Sequence, residues 1–121
     1  MRDKPMRPVF WVGDSKKQLS EFPRAVQRAI GFALQRQQEG QNHHKIKPLR
    51  GFSGVYEIVS DYARDTYRSV YAVNLGEQIY VLHCFQKKSK FRTKTPKKEI
   101  DLIRRRLNRA KALAQEETEN V

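Results

Sequence analysis

The stretch Tyr80-Val-Leu-His-Cys-Phe-Gln-Lys-Lys-Ser-Lys-Phe-Arg-Thr-Lys-Thr95 decides the architecture, because in it an apolar run passes directly into a dense set of cations. Over residues 79–85 a period of two places Ile79, Val81, His83 and Phe85 on one side and Tyr80, Leu82 and Cys84 on the other. Both sides are mostly apolar, which predicts a strand covered on both faces. Such a strand is a rigid base for Lys87, Lys88, Lys90, Arg92 and Lys94, interleaved with Phe91. A fixed scaffold that delivers several donors to one patch of surface suits a phosphate group.

Outward from that stretch, the chain has 121 residues, enough for one modest core and a single domain over 1–121, with the core at about 9–113 and a polar tail at 115–121. The 25 Lys+Arg against 13 Asp+Glu give a formal net charge of +12, a self-repulsion that a polyanion or an acidic protein segment would relieve. The basic residues are spread over several expected elements, which argues against an anionic membrane as partner. Cys84 is the only cysteine, so no intrachain disulfide forms and a buried, inert thiol is expected. The charged start Met1–Pro8 is not followed by a long apolar run, and no stretch approaches a membrane span, so a cytoplasmic protein is expected.

Val9–Val12 reads as a short opening strand ending at Gly13-Asp14, and a brief helix follows around Lys16–Leu19. Phe22-Pro23 interrupts it, with Pro23 suited to the first position of a second helix. Along that helix Phe22, Ala25, Val26, Ala29, Ile30, Ala33 and Leu34 recur at three and four residues, and it stops near Gly40. Two helices joined so tightly predict a hairpin that needs a sheet to lie against.

Residues 41–54 read as a loop, with Gly51 and Gly54 as turn signals and Pro48 breaking regular pairing, yet the loop carries Lys45, Lys47 and Arg50. Strands follow at Val55–Val59 and Tyr67–Leu75, joined by a turn through Asp61–Asp65, and Gly76-Glu-Gln leads back into the strand quoted first. Short connections make these three an antiparallel meander. Thr95-Pro96 reads as the cap and first residue of a last helix of roughly five turns. Its buried stripe is Ile100, Ile103, Leu107, Ala110 and Ala114, and Arg104, Arg105, Arg106, Arg109 and Lys111 crowd the rest. The expected fold class is α+β: an N-terminal strand and helical hairpin on a twisted antiparallel sheet, with a C-terminal helix.

Arg68 does not fit a plain core strand, because Val70 and Ala72 in its alternation are small and apolar. Its guanidinium either snorkels at the sheet end or points into a groove. His83 shares strand parity with Phe85 and Lys87, and is either a hydrogen-bonded core residue or a proton-transfer group. His43-His44 has no third ligand at metal spacing, so no metal site is expected. There is no Gly-rich phosphate loop, no nucleophile elbow and no Cys/His pairing. The run from Lys87 to Lys98 is either a solvated surface or a binding surface; it starts at a buried strand rather than in a detached tail, and Phe91 offers a base something to stack on.

The combination Leu49-Arg-Gly-Phe-Ser-Gly-Val-Tyr-Glu-Ile58, Tyr67-Arg-Ser-Val-Tyr71 and Leu82-His-Cys-Phe-Gln-Lys-Lys-Ser89 resembles the RelE/ParE toxin superfamily. The likeness is greatest to its phage-derived HigB-like branch and runs from about Val9 to Leu113. The resemblance implies the toxin of a type II toxin–antitoxin pair, an endoribonuclease that cuts messenger RNA, often on the ribosome, and so inhibits translation. It also implies an antitoxin partner carrying a helix-turn-helix domain, and no small-molecule cofactor. Arg68 falls on the strand arginine that contacts the scissile phosphate in RelE-like nucleases, and Lys87 and Lys88 fall on the Lys-Lys of the HigB-like motif. No tyrosine follows Tyr80, so a mechanism that needs a C-terminal tyrosine does not transfer.

Metal-free RNA cleavage needs a base for the 2′-OH proton, cations for the transition-state charge and an acid for the leaving 5′-oxygen. On this basis Arg68 is the expected phosphate clamp and His83 the expected acid or base. Lys87 and Lys88 sit among like charges, which favour a neutral amine, and are second choice for the proton transfer. Lys47, Arg50, Lys90, Phe91, Arg92, Lys94 and Lys97 would hold the RNA backbone. Two other functions compete: a ParE-type inhibitor of DNA gyrase that cuts nothing, and a basic nucleic-acid-binding module without activity.

Overall fold

The structure, a computed structural model, describes residues 6–87 and 95–119. Its elements in chain order are β1 (Val9–Trp11), α1 (Ser15–Ser20), α2 (Arg24–Gln38), β2 (Ile46–Pro48), β3 (Val55–Tyr62), β4 (Asp65–Leu75), β5 (Gln78–Lys87) and α3 (Lys97–Glu119). They form a five-stranded sheet in the order β1-β5-β4-β3-β2. β1 runs parallel to β5 and every other pair is antiparallel. This is the expected α+β architecture, with the strand quoted first lying inside the sheet rather than at its edge.

Two apolar layers cover the sheet. Phe22, Val26, Ile30, Ala33 and Leu34 of the α2 region meet Ile58, Tyr67, Tyr71, Ile79, Val81 and Cys84 on one face. Ile103, Leu107, Ala110 and Ala114 of α3 meet Val55, Val70, Ala72, Tyr80, Leu82 and Phe85 on the other. The 3.6-residue stripes of the two long helices are therefore the two lids of the sheet. Ala25, expected in the α2 stripe, is exposed: it lies at the edge of an apolar arc that Val26 and Ile30 fill. Ile100, expected in the α3 stripe, is half-buried, in the first turn of that helix.

The strict alternation expected for residues 79–85 is broken. Val70 pairs with His83 but Tyr71 pairs with Val81, so β5 carries one extra residue at Leu82. Such a bulge puts two consecutive side chains on one side. Leu82 and His83 both face α3, whereas Ile79 and Val81 face α2 with Cys84. The expected grouping of His83 with Phe85 and Lys87 survives; that of His83 with Ile79 and Val81 does not. The bulge is braced from outside the strand: Arg106 of α3 donates to the Leu82 carbonyl at 2.9 Å and to Asp14 at 2.6 Å. Gly13, at φ +58°, lets that guanidinium pass, since a Cβ there would lie 2.8 Å from it.

Several boundaries also move. The expected loop over 41–54 contains the edge strand β2, which pairs with β3 through Pro48 opposite Tyr56; an edge tolerates the missing proline donor. Both helix-opening prolines stand one residue earlier than expected. Pro23 precedes α2 as its cap, and the Pro96 carbonyl accepts from the Glu99 and Ile100 amides at the start of α3. Residues 115–119, expected as a frayed tail, continue α3, where Thr118 donates to the Ala114 carbonyl and Gln78 reaches Glu117. The β3–β4 turn is tighter than expected, because Ala63 and Arg64 both adopt positive φ and let the ladder run to Tyr62 opposite Asp65.

Candidate functional site

Cross-strand register places the site. On the α3 face, Lys47 of β2, Glu57 of β3, Val70 of β4 and His83 of β5 are direct neighbours in one row. The next row holds Val59, Arg68 and Phe85, and the one beyond it Asp61, Thr66 and Lys87. The bulge is what brings His83 into its row, since it shifts the strand by one residue at that point. Four ionisable side chains, Glu57, Arg68, His83 and Lys87, are thereby collected on one end of one face, each no more than 6% exposed.

Buried charges persist only when paired or hydrogen-bonded. Arg68 donates from Nη1 to Glu57 Oε1 at 2.8 Å, with both side chains nearly covered. His83 Nε2 lies 2.7 Å from Glu99 Oε1, in the first turn of α3, and its ring stacks on Phe85 at 5.0 Å. The Glu99 contact engages Nε2, while Nδ1 is buried with no hydrogen-bond partner among the described residues.

A cleft of about 430 Å³ opens over this region, lined by Lys47, Pro48, Leu49, Arg50, Glu57, Arg68, Thr95 and Ile100. Of the alternatives for Arg68, the groove is the observed one. β2 supplies Lys47, the loop after it supplies Arg50, and the approach to α3 supplies Thr95 and Ile100. The cleft thus holds a buried guanidinium, a carboxylate, two further cations and a hydroxyl, a set able to hold an anionic oxygen and exchange a proton beside it. Among the described residues no group of three or more His, Cys, Asp or Glu side chains is placed to hold a metal ion.

The structure brings together Arg68, Lys47 and Arg50 in the cleft, with His83 and Lys87 on the adjoining rows. Lys97 does not line it; it is exposed and pairs with Asp101 at 3.1 Å. Lys88, Lys90, Phe91, Arg92 and Lys94 lie outside the described residues. Two residues escaped the sequence reading, Glu57 and Glu99. Glu57 could have been found by the signal that exposed Arg68, a charge between Val55 and Val59 in a buried parity. Glu99 carries no such signal, because its meaning depends on where α3 lands.

A RelE-like α+β fold with a basic cleft on the α3 face of the sheet defines the class. The chain belongs to the family described as phage derived protein Gp49-like (DUF891), which matches residues 17–108 and so includes every described residue of the cleft. That family is one of the phage-derived toxins of RelE/HigB type, and an antitoxin partner comes with it. No curated protein matches the chain. No helix among the described residues is long and apolar enough to cross a membrane.

Proposed function

We propose that the protein is the toxin of a type II toxin–antitoxin pair and cuts messenger RNA during translation without a metal ion. The observation that carries this is Arg68, a guanidinium nine-tenths buried, held by Glu57 and set in the wall of a cleft with Lys47 and Arg50. A buried arginine fixed in direction is the group best suited to grip two oxygens of a scissile phosphate.

In the proposed reaction the 2′-oxygen attacks the adjacent phosphorus, the P–O5′ bond breaks, and the products end in a 2′,3′-cyclic phosphate and a 5′-hydroxyl. Glu57, which lines the cleft, takes the 2′-OH proton, and a phosphate that draws Arg68 toward itself leaves that carboxylate freer to do so. His83 returns a proton to the leaving oxygen, with Glu99 fixing its ring as a carboxylate orients a histidine general acid or base. Lys47, Arg50 and Lys87 add positive charge where the phosphorane-like transition state gains negative charge. Lys88 and the basic residues up to Lys94 complete the proposed grip on the message, and the antitoxin is proposed to carry a helix-turn-helix domain.

Induced expression of the parent and of Arg68→Ala, with RNA 5′ ends mapped soon after induction, tests the reading. New 5′ ends inside coding regions that disappear in the variant are expected. Growth arrest with intact messages would sink it in favour of an inhibitor of the gyrase-blocking kind. No arrest at all would leave a binding module.

A further inference from the structure

The cleft does not end at its lining residues. Ile100 lines it from α3, and Arg104 stands one helical turn further along the same face, about 6 Å down the axis. There the Arg104 guanidinium lies 4.6 Å from the centre of the Phe52 ring. Phe52 belongs to the loop that also supplies Arg50 to the cleft, and it is partly buried against the α3-side core. An exposed arginine is ordinarily mobile, but one held over an aromatic ring has its position restricted. Two turns beyond, about 10 Å further, Lys111 is exposed on the same flank. The proposed chemistry of the cleft uses none of these three residues.

We propose that Phe52, Arg104 and Lys111 form a second contact for single-stranded RNA, continuous with the cleft, that grips nucleotides on one side of the scissile phosphate. Arg104, backed by Phe52, presents a flat cationic surface on which a base stacks, and Lys111 meets a phosphate of the following nucleotides. Charge complementarity selects a polyanion, and the planar group one turn from the cleft selects one whose bases are unpaired. This rests on reading the cleft as an RNA site and adds a length requirement to it: short RNA fills the cleft alone, longer RNA fills both.

The test is fluorescence anisotropy with the full chain and labelled 2′-O-methyl RNA, which cannot be cut, at lengths of four and twelve nucleotides over a range of salt. The twelve-mer should bind more tightly than the four-mer. Arg104→Ala with Lys111→Ala should weaken the twelve-mer about tenfold and lower its salt slope by about one, while leaving the four-mer unchanged. Arg104→Lys should keep the salt slope yet lose about threefold, separating stacking from charge. Equal binding of the two lengths, or a double variant that binds the twelve-mer like the parent, overturns the second contact. Arg68→Ala keeps the two readings apart: if it weakens neither length while the double variant weakens the twelve-mer, the cleft reading falls and the second contact stands.

Discussion

The two faces of one sheet are built from the same strands and differ in what they bury. Toward α2 the covered side chains of the sheet are almost all apolar, with Ser60, Ser69 and Cys84 as the small exceptions, the last two joined by a hydrogen bond from the thiol to the hydroxyl. Toward α3 the half nearest Ala110 and Ala114 is equally apolar, but the other half buries Glu57, Arg68, His83 and Lys87. Burying ion pairs stabilises a fold poorly, since apolar residues of similar volume serve as well or better. The difference teaches that the α2 face holds the sheet together and that the α3 face is the place to look for chemistry.

The strongest way to break this comparison is to remove charge from the α3 face. Arg68→Ala leaves Glu57 buried without that ion-pair partner and is expected to cost about 3–5 kcal/mol in urea unfolding together with the proposed RNA cleavage. Combining Arg68→Met with Glu57→Leu should recover most of the stability and none of the cleavage. If the double variant were as unstable as the single one, the pair would be structural and the contrast between the faces would fail. On the α2 face, Ile58→Ala removes a fully buried side chain and should cost about 3 kcal/mol while cleavage per folded molecule stays at the parental level.

Gly13→Ala probes the brace between the faces. A side chain at φ +58° is strained and meets Arg106, so about 2 kcal/mol should be lost, and cleavage should fall as the bulge under His83 loses its support. Unchanged cleavage would mean that His83 does not depend on the brace. The mildest effect is one of pH on the α2 face. Burial pushes the Cys84 thiol up to about 11, against a weaker opposing effect of the Ser69 hydrogen bond. The unfolded thiol ionises near its ordinary value while the folded one keeps its proton. Stability is therefore full below about pH 9 and declines as pH rises through 11, with about 1 kcal/mol lost by pH 10. Alkylation of the native protein at pH 8 should be correspondingly slow, and rapid labelling would show that this face opens.

Much of this contrast was legible in the residues. The stripe from Val26 to Leu34, the meander and the parity that isolates Arg68 all follow from local periodicity, and local periodicity is what a buried face imposes. What could not be read depends on other parts of the chain. The bulge at Leu82 has no glycine to mark it and is stabilised by Arg106, 24 residues away. β2 has only three residues and a proline, so its pairing is decided by the neighbouring β3 rather than by its own composition. Glu57 carries the same signal as Arg68, a charge in a buried parity, within a stretch that otherwise reads as an ordinary strand.

The cleft draws on Lys47 from an edge strand, Arg68 from the middle of the sheet and Ile100 from the last helix. At elongation speeds of about 5–20 residues per second, the interval between the synthesis of Lys47 and of Ile100 lasts several seconds. During that time a nascent chain carries the cationic wall without the helix that closes it, and β5 already waits for α3 to bring Glu99 to His83. A ribosome that stalls or is released before Ile100 has emerged therefore leaves behind a fragment with no complete cleft. Whatever the cleft does begins only after α3 has been made as far as Ile100 and has folded back onto the sheet.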